Sequence, residues 1–159
     1  MTDSSMQPEG GIPKAPPVTG LPEANPVDAN LAPYSLRLVG YLIDGVIVFV
    51  AFLIIALVAA GLDSTILTIA ASIAGFLYAG LLIGGWNGQT VGMKAMGIRC
   101  VNGADASKVE YSTSFLRAFV HGIFEIIPIV LIVDLLWPLW DARNQTLHDK
   151  VASTIVVKD

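Results

Sequence analysis

The chain has 159 residues, of which 54% are hydrophobic and only 14% charged, with a formal net charge of −4. Soluble domains carry about 25% charged residues, so the composition points to a membrane protein of one domain. The acidic balance argues against nucleic acid, which calls for a clustered basic face. The single cysteine, Cys100, excludes an intramolecular disulfide.

Residues 1–32 are rich in Pro, Gly and small polar residues and nearly free of bulky apolar ones. Such a segment cannot bury enough surface to offset its ordering entropy, so it reads as a disordered, Pro-rich tether. It does not read as a signal peptide, because no basic stretch leads into an apolar one. The membrane domain is expected over 33–159. Leu38–Ala60 holds the roughly 20 apolar residues that a spanning helix needs, with Pro33 just ahead of it. GLDST (61–65) makes a turn, and Ile66–Ile83 is a second run. The two predict a helical hairpin with spans at about 36–60 and 66–83. The second run carries Ala71, Gly75, Ala79, Gly80 and Gly84, small residues that let helices approach closely in lipid. They serve packing against the first helix or, in the sharper reading, homo-oligomerisation. Lys94, Arg99 and Lys108 follow the second span, whereas the 61–65 turn has no basic residue. By the positive-inside rule the N-terminus and the segment after the second span are cytoplasmic, and the protein is a multi-pass protein of the inner (plasma) membrane.

NGQTVGMKAMG predicts a short amphipathic helix at the interface, with Trp86 at headgroup level. GIRCV and STIVV (153–157) read as strands that pair into a small cytoplasmic β element. Between them lies a third hydrophobic region, FLRAFVHGIFEIIPIVLIVDLLWPLW (115–140). A single crossing would put Arg143, Lys150 and Lys158 outside, against the positive-inside rule. Two full spans would need about 40 residues. A re-entrant hairpin of two half-depth helices, broken at Pro128, is preferred to a kinked single span. The fold class is therefore all-α and membrane-embedded, with this small β element attached.

Two charges sit in the first apolar run. Arg37 and Asp44 are seven residues apart, two helical turns and about 10 Å along one face. Arg37 lies near the end and can snorkel to the headgroups. Asp44 has no such escape, so it must be paired, protonated or turned toward an aqueous cavity. In the third region Arg117, His121 and Glu125 stand at i, i+4 and i+8, a polar stripe with the parts of a proton relay or of a salt-bridge ladder. Asp134 is a weaker candidate of the same kind. His121 and His148 make no metal site without close companions. No nucleophile, metal cluster or cofactor loop is legible, and GQTVGMKAMG lacks the Gly-Lys-Ser/Thr of a phosphate-binding loop. Neither an enzyme nor a cofactor is expected.

Three ordered motifs resemble the RDD family of small bacterial membrane proteins, named for one arginine and two aspartates. RLVGYLID supplies Arg37 and Asp44, and QTLHDKVASTIVV supplies Asp149. GQTVGMKAMGIRCV is similar to the family's central motif at Gly88, Gln89, Thr90, Gly92 and Arg99, with Met93 where lysine is common and Lys94 next to it. Arg117 also fits. The resemblance implies a compact helical membrane domain, and cation/proton antiport has been associated with the family. It suggests that Arg37 pairs with Asp149 and pins the C-terminal segment to the first helix. Asp44 is then left deeper, facing the Arg117/His121/Glu125 stripe. Two functions follow. One is a transporter of protons and monovalent cations or of a small solute. The other is a structural or regulatory subunit of a larger membrane complex. The lipid bilayer is the common partner of both.

Overall fold

In the computed structural model, which describes residues 28, 30–62 and 64–159, the chain forms two long apolar helices, a broken helical pair and a two-stranded ribbon. Most of the Pro-rich segment, up to residue 27, lies outside the described residues. Helix α1 (Tyr34–Gly61) starts directly after Pro33, and α2 (Thr65–Gly85) starts after Ser64, whose hydroxyl accepts from the Leu67 amide at 3.4 Å. At 1.5 Å per residue they are roughly 42 and 32 Å long, against a hydrocarbon thickness of about 30 Å. Both are long and apolar enough to cross a membrane. They run antiparallel, with Asp44 of α1 bonded to Tyr78 of α2 and Val48 facing Gly75. Leu42, Val46, Phe49 and Leu57 of α1 remain exposed, which suits a surface solvated by lipid.

The third hydrophobic region begins earlier than expected, at Tyr111, as α4 (Tyr111–Ile126). Ile127 then adopts φ −120° and ψ 98°, the extended conformation that a following proline imposes. Pro128 opens α5 (Pro128–Leu136) at a position where its missing N–H costs nothing, and a 3-10 turn, Trp137–Leu139, closes it. Helix α5 doubles back on α4: Asp134 lies 3.4 Å from His121, thirteen residues earlier in the chain.

The remaining elements form a polar layer at the start of α1 and the end of α2. They are α3 (Val91–Ala95), β1 (Ile98–Asn102), α6 (Leu147–Val151) and β2 (Thr154–Lys158). The strands pair antiparallel from Ile98↔Lys158 to Asn102↔Thr154. An isolated pair of strands is marginal in water. This one is held by a core in which Ile98, Cys100 and Val156 pack with Ile83, Met93 and Val109. Residues just before Pro33 also join this layer. The Ala32 amide donates to Val156 O at 2.9 Å, Leu31 bridges to Val157, and Asp28 pairs with Arg143 at 2.8 Å.

Several small residues of α2 pack against neighbouring helices of the same chain. A Cβ on Gly80 would fall 2.6 Å from the Phe115 ring, and one on Gly84 would fall 2.4 Å from Tyr111. Gly75 faces Val48, and Ala71 is buried. Two aromatics four residues apart on α4 thus fill the notches left by two glycines four apart on α2.

Glycines also set the central motif. Gly88 has φ +80°, and Gly92 crosses α1 so closely that a Cβ there would meet Gly40 O at 2.1 Å. Neither backbone can yield without moving a helix. Gly92→Ala is therefore expected to lower stability by about 1–3 kcal/mol through overpacking. Gly45→Ala, which meets nothing within 4 Å, should leave stability unchanged or slightly higher. Thermal unfolding of the two variants in detergent separates these outcomes.

Candidate functional site

Three elements converge on Asp149. Arg37 of α1 donates through Nη2 to its Oδ2, and Arg117 of α4 donates through Nε to its Oδ1 at 2.8 Å. All three side chains are almost fully buried. The Tyr41 hydroxyl receives both guanidinium groups, at 3.3 Å from Arg37 and 3.2 Å from Arg117. Arg37 also donates to the Asn144 carbonyl. Asp149 occupies the third position of α6, where it forms a reciprocal capping box with Thr146. Thr154 of β2 donates to the carboxylate at 3.4 Å. Burial works against the Asp149 charge, but Arg37 and Arg117 outweigh it and hold this carboxyl well below the usual range. Arg37 is thus a core residue rather than a snorkelling one, and Arg117 belongs to this clamp rather than to a relay with His121 and Glu125.

Asp44 lies two turns further along α1 and has its own partners. Its Oδ1 accepts from the Tyr78 hydroxyl at 2.7 Å and from the Gly92 amide at 2.8 Å. Its Oδ2 accepts from the Thr90 hydroxyl at 2.5 Å. Thr90 caps α3 by accepting from the Met93 amide at 3.2 Å, so Asp44 grips the helix start directly and through its cap. The carboxylate's hydrogen bonds therefore go to the GQTVG turn and α2. The rest of that motif is also tied down. Buried Gln89 donates to Ile98 O at 3.1 Å and to Asp159 at 3.2 Å, and Arg99 sits 3.5 Å from Asp159. Lys94 rests 4.1 Å above the Trp86 ring.

A cavity of about 700 Å3 opens between α1, α2, α4 and α5. Its wall is largely apolar, with Phe49, Phe52, Phe76 and Leu131, but Asp44, Arg117, His121, Glu125 and His148 border it. Directly behind His121 and His148 lies Asp134, fully buried, whose Oδ2 is 2.6 Å from His148 Nδ1 and 3.4 Å from His121 Nδ1. The His148 amide donates to Asp134 Oδ1 at 3.0 Å. Glu125, exposed, stands 3.6 Å from His121 Nε2. Sequence spacing alone gives the two histidines no companion. The fold supplies one, because the return of α5 over α4 carries Asp134 between them.

The profile of the RDD family matches residues 31–153, nearly all of the described chain. The chain belongs to the RDD family. Among curated proteins it is similar to the proline-rich antigen homolog of Mycobacterium tuberculosis, in strains CDC 1551 and H37Rv, with 33% identity over 70 residues. It is also similar to the proline-rich antigen of Mycobacterium leprae, with 28% identity over 71 residues. These matches take in 44–45% of this chain but only 27–28% of the relatives' length. No solved structure matches. In this RDD protein the arginine and the two aspartates of the family name serve two separate networks, and the second guanidinium of the clamp comes from Arg117. The chain is a membrane protein with two long apolar helices.

Removing one partner of a buried ion pair leaves an uncompensated charge. Asp149→Asn should cost about 3–5 kcal/mol, because two guanidinium groups then face each other. Asp44→Asn keeps one acceptor oxygen and no buried cation, so its cost should be about 1–2 kcal/mol. Thermal or denaturant unfolding in detergent should rank the two variants in that order.

Proposed function

We propose that this RDD protein is a carrier for small monovalent cations, exchanged against protons across the inner (plasma) membrane. The observation that carries the reading is the cavity between the four helices, together with the charge around it. On and just behind its wall stand four carboxylates, Asp44, Glu125, Asp134 and Asp149, against two guanidinium groups, Arg37 and Arg117. That excess favours a cation over an anion in a low-dielectric compartment. Asp149 and the two arginines hold the compartment together, so the proton-coupling group is Asp44. When it binds a proton it gives up an acceptor site for Thr90 or Gly92, and the grip on the loop bordering the cavity loosens. No reaction chemistry is assigned to the chain.

The topology that suits this reading follows from charge. Lys94, Arg99, Lys108, Arg143, Lys150 and Lys158 all belong to the layer that contains the ribbon and the start of α1. The positive-inside rule makes that layer, and the N-terminus with it, cytoplasmic. Helix α4, 16 residues and about 24 Å long, falls short of a full crossing, so α4 and α5 enter and leave on the cytoplasmic side as a re-entrant hairpin.

The test is flux. Purified protein in liposomes with an entrapped pH dye should move protons on a sodium or potassium pulse, and Asp44→Asn, matched for folding, should reduce that flux at least tenfold. A silent wild type beside an active control antiporter would overturn the reading in favour of an accessory subunit of a larger complex.

A further inference from the structure

We propose that His121, Asp134 and His148 form a binding site for one divalent transition-metal ion of the zinc class. Their ligand atoms all lie within 4.8 Å of one another. They come from α4, α5 and α6, so the site exists only because α5 returns over α4. Two imidazoles and one carboxylate suit a borderline cation such as Zn2+ and leave room for a further ligand. The cavity that His121 and His148 border provides a way in.

The second ring nitrogen of each histidine is already engaged. His121 presents Nδ1 to Asp134 while its Nε2 faces Glu125 at 3.6 Å. His148 presents Nδ1 to Asp134 while its Nε2 faces the Tyr41 hydroxyl at 3.4 Å and Asp149 at 3.7 Å. Ligating histidines are usually oriented in this way, by an acceptor on the far ring nitrogen that fixes tautomer and ring direction. Both Nδ1 atoms therefore converge on one carboxylate oxygen.

Distances decide what must move. Two ligands at about 2.0–2.1 Å from a tetrahedral zinc ion stand roughly 3.3 Å apart. The His121 Nδ1 to Asp134 Oδ2 separation is 3.4 Å, within reach of that value. The His148 Nδ1 to Asp134 Oδ2 separation is 2.6 Å, a hydrogen bond that a cation would replace. The bond opens by a fraction of an ångström, the two histidine nitrogens, within 4.8 Å of each other, draw together toward about 3.3 Å, and the Nδ1 proton passes to Nε2, facing Tyr41 and Asp149. Neutral imidazole is the form that ligates metals. Asp134 supplies the negative charge that a buried dication requires.

The inference stands or falls apart from ion exchange, because it concerns binding by the protein at rest. The full chain, freed of any histidine tag and stripped with a chelator, would be titrated in detergent with Zn2+ by calorimetry and with Co2+ by visible absorption. One equivalent should bind, Co2+ should show the d–d bands of nitrogen and oxygen ligation, and Zn2+ should raise the unfolding midpoint. His121 is partly exposed, so His121→Ala should fold like wild type, lose affinity more than a hundredfold and lose the Zn2+ stabilisation. Glu125→Gln, which removes only the negative charge of the orienting acceptor, should lose about tenfold. It also serves as the deciding variant if His121→Ala does not fold. No saturable binding by wild type would overturn the site. So would wild-type affinity in a folded His121→Ala or, failing that variant, in Glu125→Gln.

Discussion

One carboxylate shared by two buried guanidinium groups governs this molecule. Each of these ions would cost several kcal/mol to bury alone. Asp149 can hold both arginines only if α1, α4 and α6 arrive at the same point, and the capping box with Thr146 fixes where on α6 that point lies. The clamp therefore determines how the polar layer docks on the membrane helices. It also orients Tyr41, whose hydroxyl touches both arginines and approaches His148. From there the arrangement passes to Asp134 and the cavity wall. Remove the carboxylate and the parts that border the cavity lose their common reference.

The aspartate of the first helix works by a different principle. Asp44 has no cation, and three neutral donors satisfy it. Its position is enforced by the glycine contact between Gly40 and Gly92, which brings the motif's backbone within reach of a short side chain. The two networks thus lie in series along α1, the charged one near its start and the neutral one two turns further along. A change of partners at Asp44 can therefore leave the clamp intact.

Much of this architecture is legible in the residues. Apolar runs mark α1 and α2, alternation in GIRCV and the β-branched run STIVV mark the strands, and Pro128 marks the break. The partners of the charges are harder to read. Spacing places Arg117 on one face with His121 and Glu125, yet depth along α4 decides its partner: one turn nearer the polar layer, it reaches Asp149 instead. The Asp134 cluster depends on a loop whose path no periodicity encodes. Two signals were readable in principle. Thr146 three residues before Asp149 is a capping-box pattern that positions the acid. Tyr111 and Phe115, four apart, match the spacing of Gly84 and Gly80 and foretell where that notch is filled. The residues just before Pro33 gave no warning, because Leu31 and Ala32 join the ribbon through backbone hydrogen bonds that any sequence can make.

The span of chain that separates the two ends of the clamp has a consequence for biosynthesis. Arg37 and Asp149 are 112 residues apart. At 5–20 residues per second, the ribosome needs about 6–22 s to make that stretch. Arg37 is thus made well before its counter-ion, and β1 before the strand it pairs with. Electrostatic completion of the first hairpin awaits α6 and β2. Until they appear, the exposed arginine has reason to stay at the headgroup level, where it can draw on water and lipid phosphate. This holds the start of α1 at the membrane surface while the remainder of the protein is made.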